Sequence, residues 1–263
     1  MNQLNALYNE ISEISGYIWD RGWAELNAGN ISMRINLDEK AVSHLPVSTG
    51  NILPEAIPGL ANQFVLVTGT GRRMRDISKK PQEHTMLVKV AEDGKTYSIY
   101  YTSEDQDIKP TSELPTHLAC HSALKLSQPK LTTIMHTHPT DLISFSHNPK
   151  MSSEEIINKS LWKMHPETVV FAPNGLGFIP YQIPGNAKIA NATIKKLASH
   201  NAILWQKHGA FATGASLTMA FDIIDTLNKS AYMYLQCLAA GYEPSGLTDA
   251  EIEELKIAYK DFM

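Results

Sequence analysis

The chain has 263 residues, 43% of them hydrophobic and 19% charged, with a formal net charge of −4 and a pI near 6.2. That balance describes a globular body with an ample core and excludes a disordered or fibrous chain. With no basic surplus to neutralise a polyphosphate backbone, nucleic acid is excluded as the main partner.

In chain order, Leu4, Leu7, Tyr8, Ile11, Ile14 and Ile18 recur at three- and four-residue intervals, which predicts an amphipathic helix ending near Gly22; ISMRI follows as a strand. FVLVTGTG from Phe64 is an apolar run stopped by glycines. TMLVKV and YSIYYT flank AEDGK, whose Asp93-Gly94 pair signals a hairpin turn, so these three pieces read as antiparallel sheet. LPTHLACHSALKL from Leu114 has helical spacing, with the hydroxyls of Thr111 and Ser112 just ahead of it as caps, and LTTIMHTH returns to strand. Beyond it, SSEEIINKSLW predicts a helix, TVVFA and GFIPY short strands, NAKIANATIKKLAS a helix, AILWQ and GAFATG two strands, and about Ser216 to Ala240 a long apolar helix.

Hairpin-joined strands with helices between them, and no regular βαβ repeat, predict an α/β chain. It is expected to form a single domain over residues 1–263, with a central, mostly antiparallel sheet covered by helices. Cys120 and Cys237 lie inside apolar helical patterns and read as small buried hydrophobes, with no disulfide framework. The opening MNQLNALYNEISEIS lacks the basic start and continuous apolar stretch of a secretory signal, and no later segment is long and apolar enough to span a bilayer. A cytoplasmic protein without a membrane partner is expected.

The chemistry concentrates in histidines. In a strand, side chains alternate faces, so His136 and His138 point the same way with Thr137 opposite, about 7 Å apart at the backbone, a workable bite for one metal ion. Alone, the pair is equally compatible with hydrogen bonding at a strand end. His208 follows the apolar run AILWQK and precedes a glycine, so it too stands where a buried strand meets a loop. Together the three supply the neutral nitrogen ligands that a catalytic zinc prefers, with a fourth position open. Glu113 in PTSELPTH is the candidate carboxylate beside them, although acidic residues also favour a helix start for dipole reasons. NAGNIS at 27 to 32 and TGTG at 68 to 71 combine glycine with amides or hydroxyls suited to an anion, and each is also compatible with a simple turn. TGTG lacks the Lys-Ser/Thr of a nucleotide-binding P-loop and the glycine spacing of a dinucleotide fingerprint. His117 and His121, four apart on the predicted helix, read mainly as packing or surface residues.

The ordered segments RGWAELNAGNIS, FVLVTGTG, PTSELPTH, IMHTH, LWKMHPETVVFAPNGLGFIPYQIPG and LWQKHGAF resemble the class II aldolase/adducin-like family across nearly the whole chain. The resemblance implies a metal-dependent aldolase acting on a sugar phosphate, assembled as a homotetramer with active sites at subunit boundaries. It implies one Zn2+ per subunit on His136, His138 and His208, with Glu113 as acid/base. It further implies a substrate phosphate held by Asn27, Asn30, Thr70, Thr111 and Ser112, with Gly29 and Gly71 allowing close approach, and Glu167 reaching the site of an adjacent subunit. Thr70 stands where relatives have serine and keeps the hydroxyl. The long stretch between NAGNIS and FVLVTGTG, with LWKMHPETVVFAPNGLGFIP, favours the rhamnulose branch over the more compact fuculose and ribulose enzymes. The implied reaction is then reversible cleavage of L-rhamnulose 1-phosphate to dihydroxyacetone phosphate and L-lactaldehyde. A fuculose-phosphate aldolase, a ribulose-phosphate 4-epimerase or a sugar-phosphate dehydratase on the same scaffold would use the same triad. A non-catalytic, adducin-like scaffold would have no need of it.

Overall fold

The computed structural model describes residues 2–260. Nine strands among them form one sheet: β1 (Asn30–Ile35), β2 (Val47–Ile52), β3 (Phe64–Thr68), β4 (Thr85–Val90), β5 (Thr96–Tyr101), β6 (Thr133–Thr137), β7 (Gly177–Ile179), β8 (Ala202–Trp205) and β9 (Gly209–Gly214). Their spatial order is β2-β5-β4-β3-β1-β6-β9-β8-β7. Every neighbouring pair is antiparallel except β7 with β8. The helices are α1 (Asn2–Asp20), α2 (Met74–Ile77), α3 (Pro81–His84), α4 (Leu114–Ser127), α5 (Thr140–Ser146), α6 (Glu154–Trp162), α7 (Pro166–Phe171), α8 (Ala187–Leu197), α9 (Leu217–Ala239) and α10 (Asp249–Ala258).

Strand alternation divides the core in two. Ile31, Met33, Ile35, Leu66, Leu87 and Met135 pack on one face with α1 and α9, through Ile11, Ile14, Ile18, Ile224 and Leu227. The opposite face takes Val65, Val67 and Val88 against Leu114 and Leu118 of α4, and Ile134, Ile203 and Phe211 against Leu124 of α4 and Ile189 of α8. Sheet residues therefore face either α1 and α9 or α4 and α8, and the odd and even positions of β1 separate accordingly. Among the described residues, no helix is long and apolar enough to cross a membrane.

The predicted α/β architecture holds, with its mostly antiparallel sheet between helices. One predicted strand is corrected: TVVFA lies in the helix α7, whose Pro166 at the first turn and Glu167 beside it are helix-start residues that outweigh the β-branched pair. GFIPY keeps only three strand residues. The predicted capping of α4 is also adjusted. Thr111 Oγ1 accepts from the Glu113 N–H at 3.4 Å, and Glu113 itself occupies the N-cap position without capping through its side chain, so its carboxylate is spared for other work.

Several elements escaped the sequence reading, among them the single-turn α2 and α3. The edge strand β2 is VSTGNI, polar and largely exposed, without a buried face to give it a period. The short α5 has no capping side chain at its own N-cap, Pro139; its Asp141 and Leu142 N–H groups donate instead to Asn228 Oδ1 on α9. The last helix, α10, does carry a legible signal, since Thr248 and Glu251 form a reciprocal capping box.

Candidate active site

Antiparallel order brings the predicted site residues to one rim of the sheet. β1 begins where its neighbours β3 and β6 end, because Ser32 pairs with Val67 and Asn30 with His136. β9 likewise begins beside the end of β6, with Thr137 opposite Ala210. The rim therefore receives the segment before β1 (27–30), the glycines after β3 (69–71), His136 and His138 at the end of β6, and His208 before β9. The segment carrying Glu113 is stitched to the same rim: Gly69 bridges Pro110, the Thr70 N–H donates to Lys109 O at 2.8 Å, and the Thr111 N–H donates to Thr68 O at 3.0 Å.

The three imidazoles form a nearly equilateral cluster. Ring centroids lie 5.1 Å apart for His136 and His138, 5.0 Å for His136 and His208, and 5.3 Å for His138 and His208. One ligand nitrogen from each lies within 4.8 Å of the others. Hydrogen bonding fixes two of the tautomers. His136 donates from Nδ1 to the Ala210 carbonyl at 3.0 Å, and His138 Nδ1 meets Glu25 Oε1 at 2.7 Å, so Nε2 of each ring carries a lone pair. Nε2 of His138 and Nδ1 of His208 are buried with no hydrogen-bond partner. Unpaired buried nitrogens on two of three converging rings are costly unless something fills the space between them. A divalent metal fits that donor set. Burial, reinforced by the other two histidines, pushes His136 well below the ordinary imidazole range, and burial with His138 lowers His208. Neutral rings are the form that binds metal.

Two residues at this rim hold a left-handed backbone that glycine usually occupies: Leu26 at φ 49° and Lys207 at φ 61°. Each non-glycine residue in this region costs about 1–3 kcal/mol. Leu26 turns the chain between Glu25, which meets His138, and Asn27, which lines the cavity beside the triad. Lys207 turns it directly before His208, and its N–H is held by Ser146 Oγ at 2.8 Å. Two glycines are required by close approach. A Cβ on Gly29, whose φ is +79°, would meet His136 O at 3.0 Å, and one on Gly209 would meet Thr137 O at 2.6 Å and His138 Cδ2 at 2.9 Å.

Beside the triad lies a cavity of about 190 Å³ lined by Asn27, Gly29, Asn30, Thr70, Gly71, Thr111, Ser112, Glu113, His136, His138 and His208. All seven predicted phosphate-site residues, Glu113 and the three histidines thus meet at one place. On the far side of His138 and His208 a second cavity of about 440 Å³ is bounded by Glu25, Thr140, Ile143, Tyr181 and Lys207. Glu167 lines neither cavity. It is exposed on α7 and bonded to His165 Nδ1 at 2.7 Å, which holds its carboxyl below the usual range.

Sequence reasoning missed Glu25, which anchors His138. Burial opposes its ionisation, but hydrogen bonds from its own backbone and from His138, with the charges of His138 and His208, leave its carboxyl below the usual range. No spacing marks this residue, since its partner is 113 positions away. His117 and His121, read as packing or surface, are both wholly buried, and neither reaches the triad as a ligand. They bond instead to the Ser32 hydroxyl, at 2.6 Å from His117 Nδ1 and 2.8 Å from His121 Nε2.

Residues 9–235 match the family model described as "Class II Aldolase and Adducin N-terminal domain". The chain is similar to a rhamnulose-1-phosphate aldolase of Bacteroides thetaiotaomicron, at 37% identity over 95% of this chain and 93% of that protein. It is also similar to a rhamnulose-1-phosphate aldolase of Mannheimia succiniciproducens, at 38% identity over 85% and 83% of the two chains. Among solved structures, a sugar-phosphate aldolase from Thermotoga maritima superposes with a TM-score of 0.80 at 30% identity, covering 93% of this chain and all of that one. With its sheet, its three-histidine rim and a family match spanning most of its length, the chain belongs to the class II aldolase and adducin family.

Proposed function

We propose that the protein is a lyase that reversibly cleaves L-rhamnulose 1-phosphate into dihydroxyacetone phosphate and L-lactaldehyde, through one catalytic domain spanning residues 1–263. The reading is carried by one observation: the three histidines, Glu113 and the seven anion-site residues line a single cavity, in a chain 37% identical to a rhamnulose-1-phosphate aldolase over 95% of its length.

His136, His138 and His208 would hold a zinc ion, one per subunit, because three histidine nitrogens are the donor set of a catalytic zinc. When bound, it supplies Lewis-acid stabilisation of the oxygen charge that builds up as the carbon–carbon bond breaks. Asn27, Asn30, Thr70, Thr111 and Ser112 grip the phosphate with side chains and amides, and Gly29 and Gly71 let the backbone approach it closely. Glu113 exchanges the proton that must leave the departing hydroxyl or arrive at the enediolate carbon. No lysine Schiff base is required. Ile143 and Tyr181, on the other side of His138 and His208, suit the aldehyde fragment. The subunits assemble as a homotetramer, and Glu167 reaches the site of a neighbour, in keeping with its exposed position away from the cavities of its own chain.

The test is release of dihydroxyacetone phosphate from L-rhamnulose 1-phosphate and L-fuculose 1-phosphate in parallel, with a chelated control. Chelator-sensitive cleavage that prefers the rhamnulose ester is expected. Preference for the fuculose ester would move the protein to the sister aldolase. Cleavage of neither would leave an epimerase, a dehydratase or a scaffold. Metal analysis separates the last of these, since a scaffold should purify without stoichiometric metal.

A further inference from the structure

Behind the cavity, Glu113 is the end of a line of buried polar groups, of which the mechanism above uses only Asn30. Asn30 and Ser32 occupy alternate positions of β1 and so project from the same face of the sheet, toward α4. His117 and His121, one turn apart on α4, project back at them. The contacts run without a break: His121 Nε2 to Ser32 Oγ at 2.8 Å, Ser32 Oγ to His117 Nδ1 at 2.6 Å, His117 Nε2 to Asn30 Oδ1 at 2.5 Å, and Asn30 Nδ2 to Glu113 Oε2 at 3.0 Å. His117, His121 and Ser32 are completely buried, and Asn30 nearly so.

Both ends of this line select the same direction for its hydrogens. An ionised carboxylate only accepts, so Asn30 must turn its NH2 to Glu113 and its carbonyl oxygen to His117. That oxygen requires a donor, so His117 carries its single hydrogen on Nε2, leaving Nδ1 to accept from the Ser32 hydroxyl. Ser32 in turn accepts from His121 Nε2–H. At the far end His121 Nδ1 is buried without a partner, and in this direction it is a lone pair, which is better tolerated unpaired than a buried N–H. Burial keeps both rings neutral, so each has one hydrogen to place.

The geometry points to His117, Ser32 and His121 as positioning residues for the reaction: a one-way hydrogen-bonded chain that locks the Asn30 amide with its NH2 toward Glu113, so that the carboxylate meets the substrate in one orientation. The inference rests on Glu113 being the acid/base. Without the chain, the Asn30 amide would be free to rotate and present its oxygen to the carboxylate, a repulsive contact that would turn Glu113 away. The chain also gives Asn30 a second duty beside the anion, since its other N–H remains available to a ligand.

Two measurements test it. In protein labelled with 15N-histidine, the ring shifts of His117 and His121 should report neutral rings protonated on Nε2; protonation of either on Nδ1 overturns the chain whatever the activity. Kinetics of H117L and H117Q then test its purpose. Leucine removes both bonds, whereas glutamine can donate to Asn30 and accept from Ser32 in the same sense. H117L should lose about 10- to 100-fold in kcat, with KM and bound metal within about twofold of wild type, and H117Q should recover most of the loss. Unchanged kcat in H117L, or equal losses in the leucine and glutamine variants, overturns the inference. Should H117L not fold, S32A cuts the chain with little change of volume, and a kcat equal to that of wild type would be equally fatal. Wild-type protein with the expected tautomers but no aldol cleavage would instead sink the functional reading and leave the chain standing.

Discussion

Two groups of histidines lie near the β1–β6 rim, and they differ in what their second nitrogen does. In the triad, His136 and His138 spend Nδ1 on Ala210 O and Glu25, and His138 Nε2 is left buried and bare. In the α4 pair, His117 spends both nitrogens, on Ser32 and Asn30, and His121 binds the same serine. The first arrangement is incomplete without a ligand, and the second is closed on itself apart from one lone pair. A histidine pair two or four residues apart therefore carries no assignment until the partner of each nitrogen is known.

The sharpest way to break the contrast is to remove a triad ligand. H136A or H208A should purify without stoichiometric metal and lose about 10³-fold or more in turnover, the loss expected when several kcal/mol of charge stabilisation disappears. Full activity with one metal per chain in either variant would remove the assignment. E113Q comes next: it should cost about 10²-fold or more in kcat while metal content stays at the wild-type level, because a proton carrier is lost and no ligand is. Equal metal loss in E113Q and H136A would place Glu113 among the ligands.

The buried pair should instead report through stability. Burial, opposed by Glu113 and aided by His136, takes His117 from 6.5 down to about 4. The unfolded chain therefore binds a proton that the folded chain refuses between these values, and stability should fall as pH drops from about 6.5 to about 4, then show no further loss from this group. At 1.36 kcal/mol per pH unit the contribution is about 3 kcal/mol. Urea midpoints across this range should show the decline in wild type and a shallower one in H117Q; superimposable curves would contradict it. The smallest expected effect lies between the two groups. E25Q keeps a hydrogen-bond acceptor for His138 but loses the charge, and should weaken metal affinity by about 10- to 100-fold with little change in unfolding midpoint. Titration with a competing chelator measures it, and an unchanged affinity would show that Glu25 does not tune the site.

How much of this was legible in the chain differs by element. The amphipathic α1, the Asp93-Gly94 hairpin and the long α9 follow from periodicity and turn chemistry, which act between near neighbours. TVVFA misled because two valines within a six-residue helix imitate a strand, while Pro166 and Glu167 carried the helix signal. β2 had no periodic burial to read. In the site, the three histidines, Glu113 and the glycine-bearing turns were recognisable, because metal and anion chemistry demands particular residue types at strand ends. Glu25, Gly209 and the Ser32 link were not, because each acts on a residue distant in sequence or by the space it leaves.

By itself the sequence determined the class of the fold, the candidate metal donors and the residue types that line the cavity beside them, since each rests on residue type and local spacing. Only the tertiary structure decided which histidines converge and which are consumed internally. It also decided that Asn30 serves Glu113, and that Leu26 and Lys207 bear the strain that aims their neighbours. The physical reason is that a hydrogen bond or a metal site is fixed by distance and direction to within a fraction of an ångström. Antiparallel pairing of β3, β1, β6 and β9 sets those quantities between residues that lie tens to more than a hundred positions apart in the chain.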